Sequence, residues 1–342
     1  MTPMSTPSAQ TKLTKKDFKS DQDVRWCPGC GDYAILNAVQ TAMAKLGKSK
    51  DDLVFVSGIG CSSRFPYYMD TYGFHTIHGR APAIASGVKI ANPDLDVWII
   101  TGDGDAMSIG GNHFIHVLRR RVNVKVLMFN NRIYGLTKGQ YSPTSPLGKV
   151  TKSSPMGSLD TPFNPISLAI AAKASFVARS VDVMVPHLVE MIEAAAAHEG
   201  SAFIEIFQNC HIFNDGAWED RVGREVRDDR LVDLRPGKKL IFGKNKDKAI
   251  DFDCLSPKVV SLNDVDENSL PAWDVEANPA ISFTMASMPE DEFPTPIGIF
   301  REVRRGSFES GVHHQIDVAK EKFGEGDLHQ LLYSGDLWEV KG

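Results

Sequence analysis

Two groups of residues in this chain have types and spacings that could do chemistry. The first is Gly102-Asp103-Gly104-Asp105, followed one helix-length and one strand-length later by Asn130-Asn131. Asp103 offers a hard carboxylate and Asn131 a neutral amide oxygen. With one backbone carbonyl they make a ligand set suited to magnesium that a diphosphate also holds. Gly102 and Gly104 allow close approach of the backbone, and a helix start just beyond them would add amide donors for phosphate. The second group is the cysteines: Cys27 and Cys30 in a C-x-x-C, then Cys61 and Cys210. Four thiolates brought together from three loops can hold a zinc ion or an iron–sulfur cluster. The C-x-x-C alone also suits a redox pair, and unligated cysteines are a further reading. A structural zinc site usually takes its second pair from another tight motif, which is missing here. Cys254 lies far downstream and reads as an indifferent thiol.

Both groups need elements to position them. Val97 to Thr101 is a short, β-branched apolar run ending at the glycine-rich turn, and Val124 to Phe129 is a second, ended by the two asparagines. Each reads as a buried parallel strand. Between them His113 to Arg121 patterns as a helix, with Phe114, Val117 and Leu118 on one face. Asp103 and Asn131 then both fall at carboxyl ends of strands, the edge where ligands collect in open parallel sheets. Upstream, Trp26-Cys27-Pro28-Gly29-Cys30-Gly31 leads into an amphipathic helix of about Tyr33 to Leu46 that closes at Gly47. Val54 to Ser57 is a strand running into Gly58-Ile59-Gly60-Cys61-Ser62, and Ala81 to Ala91 is a small-residue helix. Downstream, Ile166 to Lys173, Phe176 to Ala178, His187 to His198 and Ala202 to Phe207 alternate helix and strand. The predicted fold is therefore α/β, a doubly wound, mostly parallel sheet. Cys210 lies just past the last of these strands, on the same edge.

The segment from Tyr141 to Pro165 is rich in Ser, Pro and Gly and too long for a plain connection, which points to function or a partner. Residues 1–23 read as a polar arm that orders against a partner, and 24–214 as the domain carrying the site. Residues 215–342 read as an acidic, proline-interrupted extension, with hairpins between Leu231 and Phe252, that wraps the domain or docks on a partner. A formal net charge of −5 over 342 residues argues against nucleic acid as a partner. No apolar run has the length of a membrane span and the N-terminus lacks a signal-peptide core, so a cytoplasmic location is expected. Five cysteines are too few and too odd for a secreted disulfide framework.

The Gly-Asp-Gly and Asn-Asn spacing resembles the thiamine diphosphate–magnesium motif. Together with Trp26 to Gly31, Gly58 to Ser62, His75 to Arg80 and Asn130 to Thr137, it makes the stretch from Asp23 to Asn214 resemble the β subunits of 2-oxoacid:ferredoxin oxidoreductases. The extension is similar to the longer C-terminal region of the 2-oxoglutarate type. The resemblance implies a thiamine diphosphate-binding fold and one 4Fe–4S cluster on Cys27, Cys30, Cys61 and Cys210. It implies magnesium (Mg2+) on Asp103, Asn131 and the carbonyl of Ile133. Thiamine diphosphate would be held by Ile59, Gly60, Cys61, Ser62, His78, Gly104, Asp105, Gly135 and Leu136. Arg64 and Lys138 fall where the family places contacts to the substrate carboxylate; Arg64 stands where many members carry lysine, with the same charge but a forked geometry.

The activity so implied is oxidative decarboxylation of a 2-oxoacid, 2-oxoglutarate ahead of pyruvate, with coenzyme A, to acyl-CoA and carbon dioxide. Electrons would pass through the cluster to ferredoxin. There is one phosphate-binding unit and no second α/β domain to supply the glutamate that activates thiamine, so an α subunit is implied, in an α2β2 heterotetramer. Two alternatives stay open at this point: half of a non-redox thiamine diphosphate decarboxylase or synthase, and a noncatalytic iron–sulfur electron-transfer subunit.

Overall fold

A computed structural model of the chain describes residues 13–342. Its strands are β1 (Leu53–Ser57), β2 (Tyr72–His75), β3 (Asp96–Gly102), β4 (Val124–Asn130), β5 (Phe176–Val181) and β6 (Ala202–Phe207), then β7 (Leu231–Leu234), β8 (Ile241–Phe242), β9 (Lys248–Asp253), β10 (Ser256–Ser261) and β11 (Thr295–Glu302). Eight of them form one sheet in the order β2-β1-β3-β4-β6-β5-β11-β7. The first six run parallel. β11 is antiparallel to β5, and β7 is parallel to β11. The three remaining strands make a small antiparallel sheet, β10-β9-β8.

The helices that cover the main sheet are α1 (Asp32–Leu46), α2 (Ala81–Ala91), α3 (Asp103–Met107), α4 (Gly111–Arg120), α5 (Pro165–Ala171) and α6 (Val185–Ala197). Strand residues alternate between two apolar layers, as the pleat requires. Val54, Val56, Val97, Ile99, Val124, Val126 and Val177 pack with Ala81 and Ala85 of α2, Phe114 and Leu118 of α4, and Ile166 and Ala169 of α5. Their neighbours Leu53, Phe55, Trp98, Ile100, Leu127, Phe129 and Ile204 pack with Ile35, Val39 and Met43 of α1 and Leu188 and Ile192 of α6. Each of the larger of these side chains, removed from water, contributes about 1.5–3 kcal/mol. The two full layers therefore hold the carboxyl edge of the sheet as a fixed rim. α1 ends at Gly47, which takes the left-handed conformation (φ +67°), as a helix C-terminus favours.

Three features depart from the sequence reading. The Gly-Asp-Gly triplet is not a simple turn, because Asp103–Met107 is itself a short helix. Residues 13–23 of the arm are ordered against the chain itself: Phe18 is fully buried beside Met43 and Phe65 in the second apolar layer, and Lys19 bridges to Met69. Residues 1–12 of that arm lie outside the described residues. The extension, read as poor in long periodic segments, carries an eight-residue strand, β11, inside the main sheet and a helix over Phe308–Phe323. β8 and β9 form the hairpin expected at Lys244-Asn245; β9 and β10 form another beyond the expected range, and β7 pairs with β11 instead of turning back at Pro236-Gly237. No helix of the described residues is long and apolar enough to cross a membrane.

Candidate functional site

A cleft opens at the carboxyl edge of the parallel strands. Ile59 to Ser62 line it from the end of β1, Gly102 to Asp105 from β3, Asn131 and Ile133 to Thr137 from beyond β4, and Gln208 from beyond β6. His78 and Asp32, the first residue of α1, close its sides. The segments that the sequence reading singled out between Ile59 and Leu136 thus share one concavity.

Asp103 is buried at the floor. Its Oδ2 accepts hydrogen bonds from Ser142 Oγ at 2.5 Å and Thr144 Oγ1 at 2.6 Å. Burial pushes its carboxyl up to about 6 against these bonds, because taking a carboxylate out of water penalises the charged form. A divalent cation would offset that penalty. Thr144 Oγ1 shares its one proton with Asn130 Oδ1, 3.0 Å away, and Asn130 Nδ2 donates to Glu205 Oε1 at 2.7 Å. Glu205 is in turn paired with Arg179 at 2.7 Å, both buried. A buried pair of this kind adds little net stability but costs several kcal/mol if one partner is lost. Here it anchors the asparagine turn.

That turn is sharp. Arg132 has φ +56°, and its guanidinium lies 3.6 Å over the ring of Trp218, whose indole N–H donates to the Asn130 carbonyl at 2.9 Å. Asn131 Oδ1 accepts from the backbone N–H of Ile133 at 3.1 Å. Tyr134 reaches back across the cleft to the Gly104 carbonyl at 3.1 Å. A side chain at position 104 would overlap the Tyr134 ring, with Cβ 2.2 Å from a ring carbon. Asp103, Asn131 and Ile133 therefore line the same cleft, as a magnesium–diphosphate site requires.

Asp105 also lines the cleft, but its oxygens are occupied by the chain. Oδ1 accepts from the N–H groups of Ile59 (3.1 Å) and Gly79 (2.7 Å) and meets His78 Nδ1 at 2.6 Å, while Oδ2 accepts from Thr101 Oγ1 at 2.7 Å. Such a hub ties the loops after β1, β2 and β3 to one another and orients His78. His75 is likewise tied to Ser57 Oγ (3.0 Å) and the Ser63 carbonyl (3.1 Å).

The cysteines gather on the wall beside this cleft. A Cβ on Gly135 would stand 3.5 Å from Cys61 Sγ and 3.6 Å from Cys210 Sγ, so both sulfurs flank that residue. Gly31 N donates to the Asn209 carbonyl at 3.1 Å, which docks the C-x-x-C loop on the segment carrying Cys210. Gln208 Nε2 donates to Cys30 Sγ at 3.3 Å. Burial first, and then the charges of Asp32, Cys210 and Cys61, push the Cys30 thiol well above its usual range. Burial, with Asp32, Cys210 and Cys27, pushes Cys61 up to about 12, and burial raises Cys210 as well. Thiols this reluctant to ionise become thiolates when a positive centre joins them. Among the described residues no three His, Cys, Asp or Glu side chains are grouped as around a single ion. Cys254 is exposed in the extension.

Arg64 and Lys138 stand apart from the lining. Arg64 faces a separate depression with Asp21, Arg25 and Tyr67, although it is close enough to Cys61 to favour that thiolate. Lys138 is exposed, with φ +77°. Four residues of the site were not singled out in the sequence. Ser142 and Thr144 sit in the Ser/Pro-rich segment, where only its length was a signal. Asp32 follows the C-x-x-C by two residues and Gln208 precedes Cys210 by two. Asp32 is buried, its Oδ1 has no hydrogen-bond partner, and burial pushes it up to about 7.

Comparison with known proteins agrees with this geometry. Residues 58–206 match the family described as thiamine pyrophosphate enzyme, C-terminal TPP binding domain. Subunit KorB of the 2-oxoglutarate oxidoreductase of Mycobacterium tuberculosis is 49% identical over 338 residues, 98% of this chain and 90% of the relative. The β subunit of 2-oxoacid:ferredoxin oxidoreductase 1 from Aeropyrum pernix is 50% identical over 190 residues, 56% of this chain and 60% of the relative. A solved structure of the 2-oxoglutarate:ferredoxin oxidoreductase from Magnetococcus marinus, with 2-oxoglutarate, coenzyme A and succinyl-CoA bound, superposes with a TM-score of 0.75 at 31% identity, covering 95% of this chain and 97% of that one. With such identity to a KorB subunit over nearly its whole length, and with the cofactor-type cleft at the sheet edge, the chain belongs to the β-subunit family of the 2-oxoacid:ferredoxin oxidoreductases and is an enzyme subunit.

Proposed function

We propose that the chain is the β subunit of a 2-oxoglutarate:ferredoxin oxidoreductase that holds thiamine diphosphate, magnesium and one 4Fe–4S cluster. The observation that carries the reading is the convergence of Asp103, Asn131 and the cysteine sulfurs of Cys61 and Cys210 on one cleft. Asp103, Asn131 and the Ile133 carbonyl would hold magnesium; Ile59 to Ser62, His78, Gly104, Asp105, Gly135 and Leu136 would surround the coenzyme. Cys27, Cys30, Cys61 and Cys210 would ligate the cluster. Thiamine diphosphate supplies the electron sink for decarboxylation of a 2-oxoacid, and the cluster accepts electrons singly.

The chain's own work is positional. Asp105 aims His78 at the cleft, Tyr134 spans it to the Gly104 carbonyl, and the Thr144–Asn130–Glu205 relay holds the metal-side turn. Arg64 and Lys138 flank the segments Ile59–Ser62 and Gly135–Leu136 and are proposed to meet the substrate carboxylates. Transfer of the acyl group to coenzyme A, electron delivery to ferredoxin and a cytoplasmic location complete the reading.

No second α/β domain is present among the described residues, so an α subunit is proposed to complete the site in an α2β2 assembly. Exposed Leu147, Met156 and Leu159 near the cleft-side loop, and Leu328, Leu331 and Trp338 in the extension, suit a partner's surface. The test is anaerobic co-purification with the α subunit, followed by iron, sulfide, magnesium and thiamine analysis and assay with 2-oxoglutarate and with pyruvate. All four components and a 2-oxoglutarate preference are expected. Thiamine without iron would make the chain part of a non-redox decarboxylase; iron and sulfide without thiamine would make it an electron-transfer subunit; a strong pyruvate preference would overturn the substrate.

A further inference from the structure

Gln208 touches both halves of the site. It lines the cleft, is 1% exposed, and its Nε2 lies 3.3 Å from Cys30 Sγ. The same nitrogen donates to the Asn209 carbonyl at 2.6 Å. That carbonyl fixes which end of the amide faces the sulfur, because the oxygen of Gln208 in that place would oppose another oxygen. The backbone is equally fixed: Gln208 N donates to the Asn130 carbonyl at 3.0 Å, so the residue is carried by the same turn that positions Asn131. The Asn209 carbonyl also receives Gly31 N at 3.1 Å, which holds Cys30 against this amide.

Hydrogen bonds to ligand sulfurs are among the levers that set an iron–sulfur potential. An N–H aimed at a cysteine sulfur favours the more negative, reduced cluster over the oxidised one. The backbone N–H of Asp32, buried on the same wall, also bonds Cys30, so Gln208 adds a side-chain donor to one that the main chain already supplies. We infer that Gln208 is a positioning residue that sets the readiness of the cluster to accept an electron from the coenzyme cleft, by donating its amide N–H to Cys30 Sγ. The inference rests on the cluster reading above.

The test uses the αβ complex purified anaerobically, as wild type, Gln208→Met and Gln208→Glu. Iron and sulfide are measured first, then the midpoint potential by redox titration followed by electron paramagnetic resonance. Wild type lacking iron and sulfide would defeat the cluster reading itself. With the cluster present, the Met variant, similar in length but without the N–H, is expected to shift to a more negative midpoint, and the Glu variant further in the same direction. A cluster-loaded variant with the wild-type midpoint overturns the inference. Loss of iron from both variants while wild type keeps it also overturns it, since Gln208 would then be a prop of the cysteine loop and not a tuner of its potential.

Discussion

Ser142 grips the carboxylate of Asp103 at 2.5 Å from a segment 39 residues away. Outer partners of this kind hold a ligating carboxylate in one orientation, and their removal typically weakens metal affinity 10–100-fold. Ser142→Ala is therefore expected to weaken magnesium-dependent thiamine diphosphate binding by about tenfold or more, read by titration calorimetry, with the fold intact by circular dichroism. Unchanged affinity would mean that Asp103 is not the magnesium ligand or that Thr144 alone suffices. At this scale the legible residues were those whose chemistry is rare: the cysteines, the Gly-Asp-Gly triplet, the paired asparagines. Ser142, Thr144 and Gln208 were not legible, because a hydroxyl or an amide is common everywhere and acquires a role only from what stands within 3 Å of it.

Among the elements, the loop between β2 and α2 meets the turn between α3 and α4 with no room for a side chain. A Cβ on Gly79 would lie 2.5 Å from the backbone N of Gly110 and 2.6 Å from its Cα, and Gly79 has φ +69°. Neither neighbour can rotate away, since both are main chain. Gly79→Ala is expected to cost about 1–3 kcal/mol by overpacking, together with the strain of a left-handed alanine, and to displace His78 from Asp105. Urea unfolding measures the first effect and thiamine diphosphate affinity the second. A stability change below about 0.5 kcal/mol, the range of a neutral surface substitution, would show that the two loops part freely. Apart from β2, an exposed edge strand with no apolar pattern to mark it in the sequence, the strands and helices from α1 to β6 follow the apolar patterning closely. α3 does not, since Gly102 before it and Asp103, Gly104 and Asp105 within it favour a turn locally. It is held there by Asp105, which gathers donors from the loops after β1 and β2 and from Thr101 of β3.

For the whole molecule, the extension divides at two places. β11 is hydrogen-bonded between β5 and β7, and Phe300 within it is fully buried. The next helix is fastened at its start, where Phe308 N donates to the Arg121 carbonyl at 3.2 Å and Glu309 accepts from Asn123 N at 3.2 Å. Residues 324–342 are exposed throughout and include Leu328, Leu331 and Trp338. Deleting residues 324–342 is expected to leave the melting temperature of the isolated chain unchanged and to weaken its association with the α subunit, read by analytical ultracentrifugation of the two subunits. A fall in melting temperature without loss of association would assign that segment to the fold of this chain and not to the partner.

The sequence by itself determined the layered α/β order and the sheet edge on which Asp103, Asn131 and Cys210 lie, because the period of apolar residues and the position of a residue after its strand are local properties. The tertiary structure decided the rest. It decided that β11 enters the sheet antiparallel, that Cys61 and Cys210 meet across Gly135, and that Ser142, Thr144 and Gln208 become parts of the site. Those are contacts between segments far apart in the chain, set by how the two apolar layers close on the sheet, and no pattern within one segment encodes them.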